Sequence, residues 1–132
     1  MNYLAIFIGG GIGSLLRYST TILSNKVFGT IKYNSVDFPL GTFLSNIISS
    51  LILGLLAGYF LSKQVENVLL RNLLIVGICG GFSTFSTFAF ENFNFIKENQ
   101  FQLSIFYILA SIFISLLAIY IGLSISKNIF TL

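Results

Sequence analysis

Between Gly77 and Glu91 the chain reads Gly-Ile-Cys-Gly-Gly-Phe-Ser-Thr-Phe-Ser-Thr-Phe-Ala-Phe-Glu, a run carrying four hydroxyls, four phenyl rings and two adjacent glycines. It lies in a stretch apolar enough to be a transmembrane helix. A bilayer tolerates broken backbone only where it is packed in protein or lines a cavity. Gly80-Gly81 marks such a break, and an unwound helix at membrane depth reads as an ion or substrate site. A half-helix starting after it points free N–H groups and a positive dipole end into the membrane interior. The freed carbonyls could equally bind a small hard cation such as sodium. After the break Ser83, Ser86 and Thr87 share one helix face, and Phe85 and Phe88 stand three apart on a neighbouring face. A phenyl ring has a positive edge, so an edge-on ring can contact an anion. Packing explains most of the 15 phenylalanines; these two differ by their setting between hydroxyls beside the break.

Other stretches supply further donors. Thr42, Ser45, Asn46 and Ser49 recur at helical spacing, as do Ser104, Tyr107, Ser111 and Ser115, and Gly10, Gly13, Ser14 and Arg17 share a face. Small and hydroxyl residues at such spacing usually serve helix packing, and Gly9-x-x-x-Gly13 and Gly54-x-x-x-Gly58 belong there. Asn46 differs, because a carboxamide in mid-membrane needs several partners; it is either glue or the wall of a polar path. Arg17, the one cation embedded in an apolar span, either snorkels to the headgroups or faces a water-filled vestibule. Every polar group in these stretches can donate a hydrogen bond, and no carboxylate is obviously buried mid-span. That inventory suits a small anion.

The absences narrow the classes further. There is no histidine, and the acids number four, Asp37, Glu66, Glu91 and Glu98. A catalytic centre needs a base, a nucleophile or metal ligands at close quarters, so an enzyme is not expected. No GxxxxGK[ST] loop is present, which excludes ATP-driven pumping within this chain. The lone Cys79, with apolar neighbours, is an unreactive thiol without an intrachain disulfide.

The elements that must position these groups follow from composition. Of 132 residues 55% are hydrophobic and 8% charged, far from the roughly 25% charged of soluble domains. The chain is an all-α integral membrane protein, one domain over residues 1–132. At about 20 residues per span, four helices fit, near Tyr3 to Leu23, Pro39 to Leu61, Leu69 to Phe95 (broken near Gly80-Gly81) and Gln102 to Ser126. Pro39 suits a first helical turn. Met1-Asn-Tyr-Leu lacks a basic n-region, so no signal peptide is expected. Lys63, Arg71 and Lys127 lie on the side of the termini, against Arg17, Lys26, Lys32 and Lys97 opposite. With so little bias, the chain is either oriented weakly by its first helix or inserts both ways and pairs with an inverted copy of itself.

These residues resemble the Fluc (CrcB) fluoride channel family. The resemblance runs through Gly9-Gly-Gly-Ile-Gly-Ser-Leu-Leu-Arg17-Tyr18, Gly41-Thr-Phe-Leu-Ser-Asn46, Gly80-Gly-Phe-Ser-Thr-Phe-Ser-Thr-Phe88 and Tyr107-x-x-x-Ser111, in order and over nearly the whole chain. It implies an antiparallel, dual-topology homodimer enclosing two fluoride pores, and a central structural sodium on the main-chain carbonyls of Gly80 and Ser83. Family members can carry Thr at the Ser83 position; since the carbonyl is the ligand, the exchange matters little. By the same resemblance Phe85 and Phe88 contact fluoride, Asn46 lines the pore with Tyr107 and Ser111 beside it, and Ser86 and Thr87 form a polar track. Arg17 stands near the vestibule and Glu91 toward the far end of the track. The implied role is passive export of toxic fluoride across a bacterial plasma (inner) membrane, with lipid and no nucleic acid as further surroundings. The alternative is a small dual-topology drug/proton antiporter, whose embedded first-span carboxylate is missing here.

Overall fold

A computed structural model describes residues 1–34 and 36–130. Four helices in it are long and apolar enough to cross a membrane: Asn2–Phe28, Leu40–Ser62, Val68–Lys97 and Phe101–Phe130. At 1.5 Å per residue a 27-residue helix spans about 40 Å, so they run past the expected hydrocarbon limits.

Helix α1 (Asn2–Phe28) stops at Gly29, whose φ of 68° only glycine adopts readily, and Lys26 in its last turn complements the dipole. A short antiparallel hairpin follows, β1 (Lys32–Tyr33) against β2 (Val36–Asp37). Lys32 and Asp37 form an exposed ion pair at 3.5 Å, of a kind that contributes little. Helix α2 (Leu40–Ser62) starts directly after Pro39. The third span opens with a turn α3 (Val68–Arg71), capped by the Asn67 side chain accepting from the Leu70 amide. It continues as a π-helix (Asn72–Cys79) and a single α-turn α4 (Gly80–Phe82), and resumes as α5 (Phe85–Lys97). The last span is α6 (Phe101–Phe130).

Gly80 and Gly81, read from the sequence as a break, are helical; extended backbone falls at Ser83 (ψ 159°) and Thr84 (φ −150°, ψ 123°). Gly81 has a packing reason instead. A Cβ there would lie 2.6 Å from the Gly10 carbonyl oxygen, so α1 meets the third span backbone to backbone. Gly9, Gly13 and Gly77 belong to the same contact, and a Cβ on Gly13 would fall on the Ile78 carbonyl. Across the molecule α2 and α6 meet the same way. A Cβ on Gly122 would sit 2.8 Å from the Leu55 amide nitrogen, and one on Gly58 2.6 Å from Ser126 Cβ. Both glycine pairs read from the sequence as packing devices are therefore packing devices. Such close approach suits association in lipid, where apolar side chains gain nothing by leaving hydrocarbon. Large residues such as Phe7, Leu15, Phe106 and Phe113 accordingly stay on the outside. Among the described residues the buried apolar cluster is small, built of Phe95, Leu103 and Tyr107 with Val36, Phe38, Phe43 and Phe88 against it.

Candidate functional site

The extended pair Ser83-Thr84 is held from three helices. Asn46 on α2 accepts the Thr84 amide at 2.8 Å through Oδ1 and donates from Nδ2 to the Thr84 carbonyl at 3.3 Å. One carboxamide thus satisfies both backbone groups of Thr84, as a neighbouring strand would. The Thr84 hydroxyl accepts the Thr87 amide at 3.3 Å, capping α5, and donates to the Thr87 hydroxyl at 3.1 Å. Behind the segment, the Cys79 carbonyl takes the Ser83 amide at 3.0 Å, the Ser83 hydroxyl at 3.1 Å and, from α2, the Ser49 hydroxyl at 2.8 Å. From α1, Arg17 donates to the Ser83 carbonyl at 3.4 Å.

Beside this segment lies an open groove of about 290 Å³. Asn46, Ser83, Thr84, Phe85, Phe88 and Ser111 line it, so four candidate pore residues meet on one surface. The Ser111 hydroxyl is buried and has no hydrogen-bond partner among the described residues, leaving an open donor on the groove wall. Ser115, one turn on, extends the same α6 stripe, and Ser50 joins from α2.

The other expected residues stand elsewhere. Ser86 and Thr87 are exposed and do not line the groove, although Thr87 is tied to it through Thr84. Tyr107 is fully buried behind Phe88, the ring centroids 5.0 Å apart. Its hydroxyl donates to Glu91 at 2.8 Å, and Thr42 donates to the other Glu91 oxygen at 2.6 Å. A carboxylate therefore sits among three helices where the sequence offered no obvious buried acid. No local spacing announces it, because Thr42, Glu91 and Tyr107 belong to different spans. A second cavity of about 250 Å³ joins Glu91 and Thr42 to Thr21, Asn25 and the hairpin residue Asp37. Arg17 lies one turn below Thr21, which donates to its carbonyl at 3.1 Å.

A second rung ties α5 to α6. Asn92 donates to the Phe88 carbonyl at 2.8 Å and accepts from Ser104 at 2.9 Å, with both side chains buried. Ser104→Ala strands the Asn92 oxygen away from water, so a loss of about 1–3 kcal/mol is expected. Thermal unfolding in detergent reads it as a lowered midpoint; an unchanged midpoint would mean that Asn92 finds another donor.

Thr84, Ser50 and the Thr42–Glu91 contact are what sequence reasoning missed. Only Thr84 had a local signal, a threonine directly before Phe85 in the N-cap position.

Four apolar spans, three of which bring hydroxyl side chains to one groove, define a small multi-pass membrane protein; among the described residues no group of three His, Cys, Asp or Glu is placed to hold a metal. The sequence profile of the family described as "CrcB-like protein, Camphor Resistance (CrcB)" matches residues 4–123. The chain belongs to the CrcB family. It is 40% identical over 124 residues, 94% of this chain and 95% of the other, to the Fluoride-specific ion channel FluC of Flavobacterium psychrophilum. The protein of that name from Bacteroides fragilis is 42% identical over 118 residues, 89% of each chain. Fluoride-specific ion channel FluC 2 of Nitrobacter hamburgensis is 30% identical over 129 residues, 98% of this chain and 99% of its own.

Proposed function

We propose that this chain is a fluoride-selective ion channel that lets fluoride leave the cytoplasm passively, lowering its toxicity, from a bacterial plasma (inner) membrane. The observation that carries the reading is identity of 40% over nearly full length to a protein named a fluoride-specific ion channel. The groove agrees with it chemically. Fluoride is small and strongly hydrated, so a path must replace water with donors and positive ring edges spread over several weak sites. The open Ser111 hydroxyl and the Phe85 and Phe88 rings are such groups, and Ser86 and Thr87 continue the donors along α5. The role of Asn46 is to hold Thr84, both ends of its amide being committed there; the spare Nδ2 hydrogen is what it can offer an anion. Tyr107 acts through Phe88 and Glu91 from behind.

The groove is open on one side, and the Phe85 ring is 79% exposed on the single chain. An inverted second copy, forming an antiparallel dual-topology homodimer, would cover both and set the two interrupted third spans, extended at Ser83 and Thr84, against each other at membrane depth. The carbonyls of Gly80 and Ser83 fit a sodium ion: they are hard oxygen donors, and the Thr84 amide that would close onto Gly80 is given to Asn46. When bound, sodium supplies a fixed positive charge at the helix ends. Arg17 borders the anion's approach. The antiporter alternative finds no support, since α1 carries no acid and the relatives named above are ion channels.

Phe85→Ile and Phe88→Ile each keep bulk but lose the ring edge. Each is expected to cut fluoride efflux about tenfold or more, since one lost electrostatic contact of about 1.4 kcal/mol is a factor of ten. Gel filtration should show the parental oligomer. Parental efflux in both variants would remove the rings from the conduction path.

A further inference from the structure

Arg17 is a cation deep in an apolar helix, and no carboxylate lies within ion-pair distance of it among the described residues. Its guanidinium donates instead to a neutral main-chain oxygen, the carbonyl of Ser83. An embedded guanidinium ordinarily pairs with an acid or faces water; here it lies against the end of an interrupted helix, where carbonyl dipoles concentrate negative potential. The same oxygen is one of the two assigned above to sodium.

We propose that Arg17 is a built-in competitor for the cation at the Ser83 carbonyl, and that sodium affinity is set by how far its guanidinium withdraws from that oxygen. The inference rests on the sodium reading under Proposed function. Two cations sharing one oxygen repel strongly in a poorly polarisable setting. Ser83 itself is fixed by its amide and hydroxyl bonds to Cys79, and the neighbouring Thr84 by Asn46, so the carbonyl cannot turn to separate them. The side chain of Arg17 is the movable part. Its main chain stands one turn below Thr21, which lines the cavity reaching Glu91, so the nearest polar cavity to which a displaced guanidinium could turn lies one turn along α1.

The test is a sodium titration of the purified protein, with N-methylglucamine as replacement cation and the thermal unfolding midpoint as readout. Arg17→Gln and the apolar Arg17→Met should each lower the half-effective sodium concentration about tenfold or more, as expected for removing a unit charge at close range. Arg17→Lys, which keeps the charge, should stay near the parental value. A purely structural role would move the midpoint at every sodium concentration without shifting the half-effective concentration. An unchanged half-effective concentration in the Gln and Met variants overturns the competition. No sodium response in any protein, parental included, overturns the cation reading and the competition with it.

Discussion

Asn46→Ala is expected to lower fluoride efflux about 100-fold, the penalty of misplacing by an ångström groups that must line up. The amide of Asn46 satisfies both the N–H and the carbonyl of Thr84, a residue only 9% exposed. Without it two buried backbone groups lose their partners, at about 1–3 kcal/mol each. The extended segment then has no reason to keep its course. Thr84 also caps α5, so a shift at Thr84 turns the first residues of that helix, Phe85 among them, and tilts Phe88 one turn on. Asn46→Asp should be at least as damaging. It keeps an acceptor for the Thr84 amide, but sets a carboxylate oxygen against the Thr84 carbonyl and a negative charge beside the anion's route. Efflux measured on both variants in liposomes checks this. Parental rates would mean that Thr84 holds its conformation unaided and that Asn46 only packs.

Gly13→Ala is expected to be the most destabilising of the single-methyl changes. A Cβ on Gly13 would fall on the Ile78 carbonyl, 2.8 Å from the Phe82 amide nitrogen and 2.9 Å from the Gly81 carbonyl carbon. All three are backbone, so no side chain can swing aside; α1 must move off the third span. Overpacking of this kind costs about 1–3 kcal/mol, and here it also draws Arg17, one turn further along α1, from Ser83. Gly11→Ala is the control, because nothing lies within 4 Å of a Cβ there. The unfolding midpoint should fall sharply for Gly13→Ala and barely move for Gly11→Ala. Equal midpoints would refute the backbone contact between α1 and the third span.

The spans were legible because length and apolarity alone decide them, and the glycine pairs because only the smallest residues let helix backbones touch. The groove was partly legible. Phe85, Phe88 and Ser111 show themselves by helical spacing, which places residues of one helix on one face. What spacing cannot give is the pairing between spans. Thr42 with Glu91, Asn92 with Ser104 and Asn46 with Thr84 are hydrogen bonds across helices, set by rotation and register. The glycines misled for the same reason. Gly80-Gly81 looked like the point where the helix gives way, yet Gly81 is there to meet Gly10. The chain turns extended where side chains from α2 take over the backbone bonds, at Ser83 and Thr84. A serine and a threonine followed by a capped helix are as good a stop signal as two glycines, once a partner amide is at hand.

The most direct test of the central claim is ion efflux from liposomes holding the purified protein, followed with a fluoride electrode beside a chloride control. Rapid fluoride release with little chloride loss is the expected result. No fluoride release from folded, oligomeric protein, or equal release of both halides, would contradict a fluoride-selective channel.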